Sequence, residues 1–451
     1  MADIRARGPF RSAIDSAQLP EKETALRWKR ATSVVAFVLL VLLGMRQEIN
    51  QLLTLGDVAA LALCPVWLFS LRFYRRARSV IALGAIALVM GVFLSGFSAL
   101  DHQLDRVSYF NNAVTLCFLL LSIGAVLWAR TLMPDWLVGL GFGAGLFLGV
   151  SGTGRAAENL WKFGYAIPSI ILVLSLVSYA SRRWDRGQRF MEMSALLGLA
   201  LLSGLNDARS LFGMLMLTLV TVIWQLIPRG KTLRRGAAKT LLLFASMILV
   251  VYNLGTSLLV EGYLGANAKD RSIEQISLTG SLLLGARPEM AATAALFQSQ
   301  PWGFGLGITP SLDDIMVAKT GMAGLHYEPN NGYVEKYMFG KFFELHSVIG
   351  DMWVLFGIGG AILALVILTL VIRWIGTSVA RRQASGLVLF LAIFTLWNMC
   401  FSPMYPSVPT MALAVGLILS RRSEAQGRPV SGGSAAASRG FVLSMDGNLP
   451  K

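Results

Sequence analysis

Apolar residues fall along this chain in blocks of about 16–25, each closed by a short polar or basic stretch. A block of that length crosses the ~30 Å hydrocarbon core of a bilayer as a helix. Strands of a membrane barrel would instead alternate apolar and polar positions over about ten residues, and that alternation is missing. The pattern predicts spans at 31–45, 52–71, 79–98, 110–129, 134–150, 164–180, 190–205, 209–227, 239–257, 347–372, 385–402 and 406–421. Only Gly204 to Ala208 separate the seventh from the eighth, which are expected to form a tight hairpin. The expected fold is therefore an all-α polytopic membrane protein with about twelve transmembrane helices.

The basic residues orient this map. With a cytoplasmic N-terminus, 29 of the 40 Lys and Arg fall in inner segments. They cluster in the N-terminal tail, at Arg72 to Arg78, at Arg182 to Arg189, at Arg229 to Lys239 and after Arg373, as the positive-inside rule requires. The expected order is a cytoplasmic tail at 1–30, nine spans over 31–257, a large periplasmic loop at 258–346, three spans over 347–421 and a disordered cytoplasmic tail at 422–451. Within the loop, Gly285 to Phe297 reads as a short helix with Pro288 in its first turn. The run Gln300-Pro-Trp-Gly-Phe-Gly-Leu-Gly is too rich in glycine for a helix and reads as a turn held against the membrane face. The location implied is a bacterial inner membrane with both termini cytoplasmic.

Composition agrees: 55% of the residues are hydrophobic and 14% charged, with a mean hydropathy of +0.61. The net charge of +15 does not point to nucleic acid, because its basic clusters sit between apolar blocks and face anionic lipid headgroups. Cys64, Cys117 and Cys400 all lie inside apolar blocks, with neither metal-ligand spacing nor a place in the long loop where a disulfide would form.

Three outward positions carry candidate chemistry. Arg209 stands at the mouth of the 204–208 hairpin, Arg287 opens the loop helix, and His346 occupies the first turn of the tenth span. Singly, an arginine there snorkels to headgroups and a span-end histidine is structural. Together, two guanidinium forks suit a lipid diphosphate, and an imidazole beside it suits removal of a hydroxyl proton. A helix N-terminus favours the neutral imidazole.

The run Arg287-Pro-Glu-Met, then Pro301-Trp-Gly-Phe-Gly, then His346-Ser with Gly357, Gly359 and Gly360 in the next span, resembles the O-antigen ligase and O-antigen polymerase superfamily. Arg209, preceded here by Asp207-Ala208, resembles the other arginine of that family. The resemblance implies a metal-independent, cofactor-free glycosyltransferase with a fold of the membrane-embedded C type (GT-C-like). It would move a glycan from undecaprenyl diphosphate to an acceptor hydroxyl at the periplasmic face, the acceptor being another glycan or lipid A-core. His346 would activate the acceptor, and Arg287 and Arg209 would bind the diphosphate. The shared motifs do not separate polymerase from ligase; the greater diversity of polymerases favours the former.

Arg155, Glu158 and Lys162 would line the lipid-diphosphate entrance or serve as solvated loop charges. His326 and Asp313-Asp314 give no metal-ligand geometry. The glycines from Gly141 to Gly154 lack the Gly-Lys-Ser/Thr of a phosphate loop and point to close helix packing. Asp57, inside the second span, suggests a polar link between helices or an ion path. The rival class is a transporter or flippase, for which paired repeats and mid-membrane charges are the signature; the spans show no such repeat.

Overall fold

The computed structural model describes residues 10–49, 53–180, 188–227, 236–261, 287–325 and 332–422 with isolated positions between 269 and 330, and side chains except those of 10–26, 155, 188, 258 and 259. All regular structure among the described residues is helical. Every predicted block is found as helix, in the order α1 (Phe10–Met45), α2 (Leu55–Ala62), α3 (Cys64–Ser70), α4 (Ala77–Ser98), α5 (Arg106–Leu132) and α6 (Asp135–Leu148). After the four-residue α7 (Arg155–Glu158), a π-turn at Trp161–Tyr165 leads into α8 (Ala166–Ala180), followed by α9 (Gln188–Leu205), α10 (Arg209–Trp224) and α11 (Ala237–Val260). The loop contributes α12 (Glu289–Ser299) and α13 (Leu312–Ala323), and the chain closes with α14 (Val348–Arg381), α15 (Gly386–Phe401) and α16 (Met404–Ile418).

Among the described residues six helices are long and apolar enough to cross a membrane, and a seventh span is possible if α2 and α3 count as one. The shorter apolar helices α6, α10, α15 and α16 have 10–17 residues. Large apolar side chains also cover the outside of the bundle: Phe93 of α4 is 79% exposed and Leu242 of α11 72%. An apolar exterior of this kind needs lipid around it. The chain is an α-helical, membrane-embedded protein.

Three expectations change here. The second block is two helices bent by 67°, with Pro65 at the first turn of α3, rather than one straight span. Asp57 does not lie at mid-span: it is the third residue of α2, where its carboxylate accepts from the Thr54 N–H (2.9 Å) and hydroxyl (2.7 Å) in a capping box. The helix α1 also begins well before residue 31, within the segment read as a tail.

The interior is built on α5, α14, α15 and α16; α16 packs against α5 and α15, and α14 against α4 and α15. Glycines bring α1 and α6 together as expected: a Cβ on Gly145 would stand 2.1 Å from the Val41 carbonyl oxygen. At one end of the bundle arginines cap helix C-termini. Buried Arg130 donates to the carbonyls of Gly416 (2.7 Å) and Leu419 (2.8 Å) and pairs with Asp135 at 2.9 Å. Arg189 does the same for Arg382 and Ala384 beyond α14. The loop helices lie at the other end. The 204–208 hairpin is as tight as read, with Asp207 taking the left-handed conformation (φ +54°) that closes α9.

One device was not anticipated. Gly357 interrupts α14 with φ +61° and ψ −150°, so the carbonyl of Val354 loses its helical partner. That carbonyl instead accepts from Phe304 N–H and Gly305 N–H, both at 2.9 Å. The glycine-rich turn is therefore not laid on the membrane face but wedged between α4, α5 and α14. Leu306 N–H donates to the Ser95 hydroxyl oxygen (2.6 Å), Asp105 N–H to the Gly307 carbonyl (2.8 Å), and Phe304, Leu306 and Ile308 are fully buried. Irregular backbone at such a place persists because peptide groups freed from regular structure find protein partners.

Candidate functional site

The loop end of the bundle carries the candidate residues in two groups. The first surrounds Tyr333, whose neighbour Val334 opens a π-turn over Val334–Met338. Its hydroxyl donates to Glu289 Oε1 at 2.5 Å, and its ring centre lies 6.1 Å from that of His346. Arg287 sits just before the N-cap Pro288 of α12, close enough for its charge to act on the Tyr333 phenol. The guanidinium carbon also stands 5.7 Å from the rings of both Trp397 and Phe401 at the end of α15, a cation–π clamp. Burial raises the Tyr333 phenol above its ordinary 10.0, the Glu289 carboxylate raises it further, and Arg287 opposes both. Glu289 is itself buried, and its second oxygen has no hydrogen-bond partner among the described residues.

His346 is not in the first turn of α14. Ser347 is the N-cap, its hydroxyl accepting from Gly350 N–H at 3.0 Å, and His346 precedes it in the left-handed conformation at φ +52°. The chain turns there because Asp351, buried in the first turn, accepts from Leu345 N–H (2.6 Å) on one oxygen and from Met404 N–H (2.7 Å) on the other. A single carboxyl group thus ties the residue before His346 to the start of α16. Glu344 completes the group: its carboxylate lies 3.7 Å from His346 Nε2, and its carbonyl lies 3.3 Å from Nδ1.

The second group is built on the hairpin. Asp207 pairs with Arg209 Nε at 3.7 Å and with Lys162 Nζ at 3.4 Å, while Asn159 donates to the Asn206 carbonyl at 2.9 Å. Lys162 and Arg209 are thereby held beside one carboxylate. Arg155 opens α7, and its side chain, like His326, lies outside the described residues.

Sequence reasoning missed Glu289, Tyr333, Glu344 and Asp351. The last two stand within the motif around His346, where a carboxylate two residues before and five after an imidazole was the available signal. The acidic pair of the loop has a local role: Asp314 caps α13 through Ser311 and accepts from His102 Nε2 at 3.0 Å. No group of three metal-ligating side chains occurs among the described residues. Comparisons with family models, with characterised proteins and with solved structures find no match to the chain.

Proposed function

We propose that this protein is a membrane glycosyltransferase that moves a glycan from undecaprenyl diphosphate to an acceptor hydroxyl at the outer face of a bacterial inner membrane. The observation that supports the reading is that Arg287 and His346, distant in sequence, both lie near Tyr333, the first by its charge on the phenol and the second at 6.1 Å between ring centres. In the proposed reaction the acceptor oxygen bonds to the anomeric carbon while the bond from that carbon to the diphosphate breaks. The acceptor proton passes to the His346 imidazole, and Glu344 beside Nε2 stabilises the imidazolium formed. Arg287 and Arg209, with Lys162 and Arg155 at the entrance, neutralise the diphosphate leaving group, so neither metal nor cofactor is required.

The same reading takes the chain as twelve spans of GT-C-like character with a periplasmic loop and cytoplasmic termini, supported by the segregation of helix-capping arginines to the end opposite the loop. It leans towards a polymerase of O-antigen or exopolysaccharide units over a ligase to lipid A-core. The test is glycan profiling of cells lacking the gene, complemented with wild type or His346→Ala. Loss of surface polymer with single repeat units accumulating, rescued by wild type alone, supports a polymerase. Long polymer left on its lipid carrier makes it a ligase. Full rescue by His346→Ala overturns the transferase, and a transporter takes its place.

A further inference from the structure

At the end of the bundle opposite the loop, two distant segments are zipped together. Tyr74 and Arg421 form an antiparallel bridge, Arg75 N–H donates to the Ser420 carbonyl at 3.1 Å, and Arg422 N–H to the Phe73 carbonyl at 2.9 Å. This short ribbon brings Arg72, Arg75, Arg76 and Arg78 together in space with Arg421 and Arg422. None of the six is in an ion pair among the described residues, although six guanidinium groups repel one another. Asp135 at this end is already engaged by Arg130. Arg130 and Arg189 show the contrast: arginines at this end that serve the fold are satisfied by carbonyls and carboxylates, whereas Arg72, Arg75, Arg76, Arg78 and Arg422 are exposed.

The patch also has an apolar border. Arg72 stacks over Phe69 (3.4 Å to the ring centre) and Phe73 (4.8 Å), and these rings are 59% and 43% exposed. Val66 and Leu68 of the same helix are exposed as well. Guanidinium groups beside exposed rings at the end of a membrane helix match a lipid with an anionic head and an apolar tail. A soluble anion would use the arginines and leave the rings in water.

We propose that the Arg72–Arg78 and Arg421–Arg422 ribbon is a binding site for an acidic phospholipid, with the phosphodiester held by the guanidinium forks and the acyl chain lying along Phe69 and Phe73. Each arginine near a membrane surface is worth about fivefold in affinity for anionic lipid, so three together are worth about a hundredfold. The test uses the full chain in nanodiscs, with lipid retention read by native mass spectrometry. Wild type should retain phosphatidylglycerol at least about tenfold over phosphatidylcholine. The variant Arg75→Gln/Arg76→Gln/Arg78→Gln should lose that preference, and the single variants Arg75→Gln and Arg422→Gln should each weaken it about fivefold. The single variants keep the test decisive should the triple variant misfold. Arg373→Gln, outside the ribbon, should change nothing. Equal retention by wild type and the ribbon variants overturns the site. So does displacement of the bound lipid by millimolar inorganic phosphate, which would make it a site for soluble anions.

Discussion

Replacing Gly305 by alanine tests whether the wedged turn holds the bundle together. Gly305 has φ +104°, and a Cβ there would stand 2.5 Å from Ser95 N and 2.7 Å from Ser95 Cα. Those are backbone atoms of α4, so neither can swing aside. The left-handed backbone costs an L-residue about 1–2 kcal/mol, and inserting a methyl into packed surroundings about 1–3 kcal/mol more. Relief by withdrawal of the turn would strip the Val354 carbonyl of both its donors and separate Leu306 from Ser95, which costs as much again. We expect a loss of about 2–5 kcal/mol, a fall of roughly 3–8 °C in the Tm of purified protein followed by tryptophan fluorescence. Trp302 and Trp353 flank the turn and report on it directly; Trp353 donates to the Pro301 carbonyl at 2.8 Å. Gly213→Ala is the control, because nothing lies within 4 Å of a Cβ there and a helical alanine is favoured over glycine by up to about 1 kcal/mol. A Gly305→Ala protein as stable as wild type, or a Gly213→Ala protein equally damaged, refutes the reasoning.

Other outcomes are expected at the site. Arg287→Ala should reduce glycan transfer about 10²–10³-fold with membrane insertion intact, measured by polymer yield against protein level. Arg209→Lys should also be impaired, because an ammonium cannot reproduce the guanidinium fork. Since the folded state raises the Tyr333 phenol, unfolded chains lose their proton first, so stability should be complete below pH 10 and fall as pH rises beyond it. A Tm series towards alkaline pH should show Tyr333→Phe losing less than wild type over that range. Asp105 is held below its ordinary 3.8 by the Ser108 hydroxyl and N–H, so its contribution is present above that value and lost as pH falls through the lowered one. Asp105→Ala should therefore cost about 1 kcal/mol at neutral pH and little in strong acid, read by thermal unfolding.

The helices were legible because each apolar block is long and bounded by charge or turn residues, and the Gly204–Ala208 hairpin because so little chain separates its arms. What escaped was the break in α14. Gly357 lies in an unbroken apolar run, and a glycine there reads equally as close packing, which is what Gly359 does against Met90. The partner for the freed Val354 carbonyl is a loop residue some fifty positions earlier, and no periodicity encodes such a pairing. The bend between α2 and α3 was hidden likewise, since hydropathy averages across Leu63 and Pro65. His346 and Arg287 were found through motif order, but Tyr333 and Glu289 were invisible because a buried tyrosine–carboxylate pair has no sequence spacing of its own.

Asp351 links this geometry to the chemistry proposed for the site. Its two oxygens accept from separate backbone groups, Leu345 N–H and Met404 N–H, and the side chain is buried. In Asp351→Asn one of those N–H groups would face an amide NH₂, donor against donor. Leaving that buried group unpaired costs about 1–3 kcal/mol, a fraction of the stability of a folded chain. The strain falls unevenly. The Met404 side is backed by the packing of α16 on α5 and α15, whereas the Leu345 side leads into His346, held at φ +52° with no helix before it. The turn carrying His346 should therefore yield first. If His346 takes the acceptor proton, a displacement of about 1 Å is enough to cost on the order of 10²-fold in rate. Asp351→Asn should then retain most of its thermal stability and lose most of its polymer. Full activity in a destabilised Asp351→Asn protein would show that the carboxyl group serves only the junction of α14 and α16, and that the position of His346 does not govern the reaction.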